Sequence, residues 1–369
     1  MTQAATNQQE FVADGDPVRV VALPEELRLH GAARLVDDPS LDPMIGGARM
    51  LDAARRLGLD LSLMFGTLAD GEPNPLGSLK LHAKPRQVCL AVPAPGRTAT
   101  LFVSSTATPV RLASAPRSPG QDRAERAMVI EAACRFLAKP GKRTGQGVAL
   151  AQALLSIGEH AAVDAFGQAG FSRLGDLAYL RRHLGKKVPD SASAKGGIGA
   201  ALPPGISARA LPEIDRAART PALLRALELS YELTLDCPEL SGLREPTDVL
   251  ESHVAVGRHD PSLWWVIYDQ AEPAGCMLLT TCPDQETVEL VYLGLGRSLR
   301  GRGIGRIMLD RGLAALSGRK ERTVTCAVDT RNAPALRLYE RAGFENFATR
   351  IPMVRSLRSL SDLPNLAGV

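Results

Sequence analysis

What the 369-residue chain lacks narrows its class first. No window approaches 18 uninterrupted apolar residues, so no transmembrane helix is predicted. Residues 1–16 are polar, contain no apolar signal-peptide core and read as a short disordered tail. The 6 cysteines, Cys89, Cys134, Cys237, Cys276, Cys282 and Cys326, form no C-x-x-C pair and have no clustered histidines beside them. That scatter argues against a metal site or a disulfide framework and fits a reducing cytoplasm. The 44 Lys and Arg against 40 Asp and Glu leave a net charge of +4. This is too little for a nucleic-acid coat or a polybasic membrane anchor, so neither is an expected partner. Hydrophobic residues at 45% and charged residues at 23% are those of an ordinary globular protein and exclude wholesale disorder.

The length suggests two domains. Residues 189–205, PDSASAKGGIGAALPPG, are small, Gly-rich and Pro-rich, and cannot bury enough apolar surface to offset their own ordering entropy. They read as a linker between domains at 17–188 and 206–360, with a C-terminal tail at 361–369. In the second domain the patterns predict helices over 223–235 and 248–256 and strands over 263–268, 275–281 and 287–295. A helix over 303–316, a strand over 323–328, a helix over 332–342 and strand segments within 344–357 follow. Asn332 as N-cap, Pro334 in the first turn and Gly343 after the last mark the final helix most clearly.

Chemistry concentrates in residues 287–309, TVELVYLGLGRSLRGRGIGRIML. A strand runs into Arg300-Gly301-Arg302-Gly303-Ile304-Gly305, where a helix begins. Alternate glycines let backbone N–H groups approach a bulky anion, and the helix presents its positive end to it. Arg300, Arg302 and Arg306 add charge. The loop is not a Walker A sequence and, with Met308 in place of a third spaced glycine, not a Rossmann fingerprint.

Arg300-x-x-Gly303-x-Gly305 resembles the acyl-coenzyme-A signature of the GNAT N-acetyltransferase superfamily. Asn332-x-x-Ala335-x-x-Leu338-Tyr339-x-x-x-Gly343-Phe344 is similar to a second hallmark of that family, and the resemblance as a whole covers about residues 206–357. The resemblance implies a fold of the α/β class, a mixed, mainly antiparallel sheet flanked by helices with splayed central strands. It also implies acetyl-coenzyme A as cosubstrate and an amine as acceptor. Leu293, Gly294 and Leu295 would offer backbone groups to the pantetheine arm, and the amides of Gly301, Arg302, Gly303, Ile304, Gly305 and Arg306 would hold the diphosphate. Asn332 would contact the cofactor, Tyr339 would protonate the leaving thiolate, and Glu289 would accept the amine proton. A coenzyme-A-binding sensor or scaffold without turnover is the alternative.

Charge is segregated within this domain. Residues 213–289 hold 15 acidic side chains and 5 arginines, whereas residues 297–358 hold 14 Lys and Arg and 5 acids. An acidic acceptor side favours a cationic acceptor. The first half carries a diverged second copy, so the expected architecture is two tandem GNAT-like domains, similar in arrangement to mycothiol synthase. At an offset of 173, Gly170-Phe171 matches Gly343-Phe344, Glu159 stands opposite Asn332, Ala162 opposite Ala335 and Phe166 opposite Tyr339. Its strand-to-helix connection, residues 106–121, has no R-x-x-G-x-G, which implies that this copy is degenerate and does not hold acetyl-coenzyme A in the usual way.

Overall fold

A computed structural model of the chain describes residues 8–13, 16–36, 38, 40–68, 85–105, 118–142, 144–185 and 201–360. The tail at 361–369, residues 1–7, linker residues 189–200 and residues 106–117 of the first-half connection lie outside the described residues. The chain forms two compact units. The N-terminal unit comprises Met1–Arg173 with Pro352–Val369, and the C-terminal unit comprises Leu174–Ile351.

The N-terminal unit contains β1 (Gln8–Ala13), β2 (Asp16–Ala22), α1 (Glu25–Leu35), α2 (Pro43–Arg56), β3 (Met64–Leu68), β4 (Pro85–Ala94), β5 (Thr98–Val103), α3 (Pro119–Ala138), β6 (Leu150–Ser156), α4 (His160–Gln168) and β7 (Ser172–Arg173). Residues 8–13 are therefore not a tail: Gln8 to Ala13 pair antiparallel with Val21 to Asp16, which satisfies the edge of β2. Strands β2 to β5 are antiparallel, and β6 joins β5 in parallel. Helix α3 opens on a capping box, Ser118 accepting from the Gln121 N–H and Gln121 accepting from the Ser118 N–H. Its Glu125, only 1% exposed, meets the Arg86 guanidinium at 2.9 and 3.1 Å and the Thr67 hydroxyl at 3.2 Å.

The C-terminal unit contains β8 (Leu177–His183), β9 (Ile206–Ala210), α5 (Arg219–Tyr231), α6 (Pro246–Val254), β10 (Trp264–Asp269), β11 (Glu272–Cys282), β12 (Thr287–Leu295), α7 (Ile304–Ala315), β13 (Thr323–Asp329), α8 (Ala333–Arg341) and most of β14 (Glu345–Ser356). Strands β9 to β12 are antiparallel and β13 joins β12 in parallel, the same succession as in the first unit. Both units thus have a mixed, mainly antiparallel sheet with two helices after the second strand and, along the chain, one helix on each side of the parallel strand. One face of the second sheet packs on α7 and α8 through Met277, Leu279, Val288, Leu290, Ile304 and Met308. The other packs on α5 and α6 through Leu223, Leu227, Leu250, Val266 and Leu278.

The unit boundaries differ from the sequence expectation of domains at 17–188 and 206–360. Strand β8, which follows the first repeat in sequence, pairs with β13 from Leu177↔Asp329 to His183↔Thr323, and with β14 from Leu177↔Arg350 to Arg181↔Glu345. Residues 352–356 of β14 instead lie with the first unit, where Met353 and Val354 pair with β7.

The matched repeat positions occupy matched places. Glu159 and Asn332 are the N-caps of α4 and α8, and Gly170 and Gly343 both have positive φ, 78° and 80°. Phe166 stacks edge-on to Phe171 at 4.9 Å, as Tyr339 leans on Phe344 at 5.5 Å. Phe166 is 0% exposed, so Phe166→Ala should destabilise the protein by about 3–5 kcal/mol in denaturant titration. A loss below about 1 kcal/mol would remove the ring from the core.

Candidate active site

Parallel pairing of β12 with β13 covers only Thr287, Val288 and Glu289 against Thr323, Val324 and Thr325. Leu278 pairs with Tyr292 and Leu279 with Leu290, so Val291 is an extra residue on β12. Such a bulge bends a strand and increases its twist. Beyond it, Leu293, Gly294 and Leu295 keep β11 on one side, and among the described residues their other edge has no strand partner. A Cβ on Gly294 would lie 2.3 Å from the Tyr292 ring, so only glycine lets that ring lie along the strand.

The strand continues through a short turn, Arg297–Leu299, into the glycine loop. Gly301 and Gly303 have φ of 73° and 77°, in the left-handed region, and Gly303 is the N-cap of α7. Among the described residues, none of the five backbone N–H groups from Gly301 to Gly305 donates to a carbonyl; the Arg306 N–H returns to the Gly303 carbonyl at 3.1 Å. Consecutive unpaired amides at the positive end of a 12-residue helix form an anion cradle. Gly305 sits where Leu338 of α8 and Leu295 of β12 meet, 3.5 and 3.7 Å from its Cβ position.

The three arginines are turned to protein oxygens. Arg300 donates to the carbonyls of Leu295 at 2.8 Å, Ser230 at 2.8 Å and Leu233 at 3.0 Å, tying the end of β12 to the end of α5. Arg302 reaches the Ser298 carbonyl at 3.3 Å. Arg306 pairs with Asp310 at 2.8 Å and donates to the Arg341 carbonyl at 3.1 Å. Asn332 accepts the Ala335 N–H at 3.3 Å, so its side chain caps α8.

Val288 and Leu290 both face the core under α7 and α8, so strand alternation turns Glu289 to the opposite face, toward α5 and α6. Burial holds its carboxyl above the usual carboxylate range. Tyr339 is 7% exposed in the α7–α8 core. Burial first, then Cys326 and Asp236, raise its hydroxyl well above the usual tyrosine value, so it keeps its proton at neutral pH. Cys326 of β13 lies within electrostatic reach of Asp236 and Glu289.

The sequence reading missed the loop after α5. That helix ends at Tyr231 and not at residue 235, because Leu233 takes φ 50° and leaves the helix; Leu233 and Leu235 are exposed. Cys237 is also left-handed, with φ 46°. Between them Asp236 Oδ1 accepts the Asp329 N–H at 2.7 Å, and Asp329 Oδ2 accepts the Cys237 N–H at 3.2 Å. No local pattern marks an aspartate in such a loop. Nearby, Tyr292 meets the Ser230 hydroxyl at 2.8 Å, contacts the Tyr231 ring at 5.6 Å and stacks on His253 at 5.5 Å.

Burial, then the charge of Arg244, lower the His253 pKa to about 4. The folded state keeps this ring neutral while the unfolded chain takes up a proton below about 6.5. Its contribution to stability is therefore complete above that value and falls as pH drops toward 4. His253→Phe keeps a ring on Tyr292 and should flatten this part of the stability profile in pH-dependent melts. An unchanged slope between pH 6.5 and 4 would assign the loss to other groups.

Residues 227–344 match the sequence profile of the acetyltransferase (GNAT) family. A segment of 88 residues is 39% identical to a mycothiol acetyltransferase of Beutenbergia cavernae, covering 23% of this chain and 29% of that protein's length. A longer segment of 232 residues is 27% identical to a mycothiol acetyltransferase of Rhodococcus erythropolis, covering 58% of this chain and 73% of that protein. A GCN5-related N-acetyltransferase from Sphaerobacter thermophilus shares the fold, with a TM-score of 0.50 and 18% identity over 91% of this chain and 92% of that one.

Proposed function

From the premise that residues 227–344 form a domain of the acetyltransferase (GNAT) family, we propose that this enzyme transfers an acetyl group from acetyl-coenzyme A to a primary amine in its C-terminal unit. The observation that carries this reading is the run of unpaired amides from Gly301 to Gly305, set beside the open edge of β12. The amides fit a diphosphate, and the open edge at Leu293, Gly294 and Leu295 fits an extended amide-bearing arm. Ile304 and Arg306 belong to the same first turn. Arg300 acts as a brace that fixes the loop against α5, and Asn332 holds the start of α8 beside it.

The proton chemistry follows from the two burial-shifted groups. Glu289, on the α5–α6 face of β12, accepts the proton that the attacking amine loses, directly or through water. The Leu293 N–H stabilises the charge that develops on the thioester oxygen. Tyr339, kept protonated by its surroundings, supplies the proton to the departing sulfur. The name of the relatives points to a small thiol-bearing acceptor, and the acidic balance of residues 213–289 fits a cation. The N-terminal unit, which lacks the R-x-x-G-x-G loop, has no acetyl-transfer chemistry of its own in this reading.

The test is coenzyme A release, followed by chromatography so that thiol acceptors do not interfere, across a panel of primary amines that includes aminothiols. Release with at least one amine at saturating acetyl-coenzyme A is expected. Tight binding of acetyl-coenzyme A with no release for any amine would favour a sensor without turnover.

A further inference from the structure

Two arginines of the N-terminal unit are buried, Arg34 at 8% exposed and Arg126 at 4%. Arg34 ends α1 beside the end of β5: the Ser105 N–H, just past that strand, donates to the Arg34 carbonyl at 2.9 Å. Arg34 Nε donates to the Arg86 carbonyl at 2.9 Å, and the Arg86 guanidinium clamps Glu125, the residue before Arg126 on α3. Across this bridge the Arg34 and Arg126 guanidinium groups lie within electrostatic reach of each other.

Arg126 is the unexplained member. Its side chain donates no hydrogen bond and forms no ion pair among the described residues, and its Nε is enclosed. The Glu125 carboxylate next to it is held by Arg86 and by the Thr67 hydroxyl. Asp122, one turn earlier on α3, is within electrostatic reach of both arginines and is bonded to neither. Burial first, then the charge of Arg126, push the Arg34 pKa down to about 10, and burial lowers that of Arg126. Guanidinium groups nevertheless stay protonated at neutral pH. Two buried positive charges beside one half-buried carboxylate leave an excess of positive charge. An enclosed charge without a partner is costly, and an arginine stem is long enough to carry its head to water. Arg126 stays inside, beside a second guanidinium that repels it, which is the arrangement an anion completes.

We propose that Arg34 and Arg126 form an oxyanion site in the N-terminal unit, where one compact anion of the phosphate class bridges the two guanidinium groups between α1 and α3. Planar guanidinium groups present paired N–H donors that match the oxygens of a phosphate. The ligand is a single compact anion, because this copy has no R-x-x-G-x-G loop whose amides would line a diphosphate. The site does not depend on the acetyl-transfer reading of the other unit.

Inorganic phosphate is the probe, applied to the full chain with coenzyme A in excess so that the glycine loop of the C-terminal unit is occupied. Equilibrium dialysis with radiolabelled phosphate should show one site per chain. Arg126→Met keeps the stem and removes the charge, and should weaken phosphate roughly 10–100-fold, the range for losing a charge-assisted hydrogen bond. Arg126→Gln gives the same readout should the methionine variant not fold. Phosphate in place of chloride at equal ionic strength should also raise the melting temperature of the wild type more than that of the variant. The general stabilising effect of phosphate on folded proteins is common to both and cancels. Wild-type protein that binds no phosphate at millimolar concentration would overturn the proposal. So would a folded variant with wild-type phosphate affinity, or an equal rise in melting temperature for both proteins.

Discussion

Gly303→Asp is expected to weaken acetyl-coenzyme A binding by at least about 100-fold and to abolish the rise in melting temperature that the ligand confers. The substitution leaves the fold intact. A Cβ at residue 303 meets nothing within 4 Å, and the left-handed φ of 77° costs an L residue roughly 1–2 kcal/mol. Asp is itself a good N-cap, so the helix start survives. What changes is the sign of the charge where the Gly301–Gly305 amides converge. A carboxylate there both accepts those N–H groups and repels a diphosphate. Gly303→Ala carries the same backbone strain without the charge and should bind more tightly than the aspartate variant. Wild-type affinity in Gly303→Asp would show that the cradle is elsewhere.

Tyr339→Phe should lower turnover by about 10²–10⁴-fold, the range for a positioned proton donor, and leave acetyl-coenzyme A affinity nearly unchanged. The packing argument is favourable. The ring keeps its 5.5 Å contact with Phe344, and the hydroxyl makes no hydrogen bond among the described residues, so stability should shift by less than about 1 kcal/mol. Steady-state and single-turnover rates on the same preparation separate chemistry from product release. Full activity with chemistry rate-limiting would return Tyr339 to a purely packing role.

The parts of this molecule that could be read from the sequence are those fixed by local rules. Gly301, Gly303 and Gly343 need positive φ, Asn332 caps a helix with a proline in its first turn, and the strand before the loop alternates cleanly up to Leu290. The repeat was legible through Gly170-Phe171 and Gly343-Phe344 for the same reason. Helix α5 ran four residues too long because Leu233 and Leu235 continue an apolar pattern that the backbone abandons. The arginines looked like anion ligands, yet Arg300 and Arg302 reach protein carbonyls and Arg306 reaches the Asp310 carboxylate and the Arg341 carbonyl. Asp236 was invisible because its partner, Asp329, is 93 residues away. Strand β8 was invisible as a member of the second sheet because both its neighbours lie far along the chain.

The exchange of end strands has a consequence for how the chain can be made and divided. Cutting at the linker would give a C-terminal fragment without residues 177–183, leaving β13 and β14 with no strand between them. The N-terminal fragment would in turn keep β7 without Met353 and Val354. Neither half is thus a self-sufficient enzyme or scaffold, and the two fragments should regain full structure only when expressed together. On the ribosome the first unit must wait for residues 352–356. At roughly 5–20 residues per second, this delay after residue 173 is on the order of 10–40 seconds. During that interval β7 stands unpaired with its final partner, a window in which a chaperone or an early second unit decides the yield.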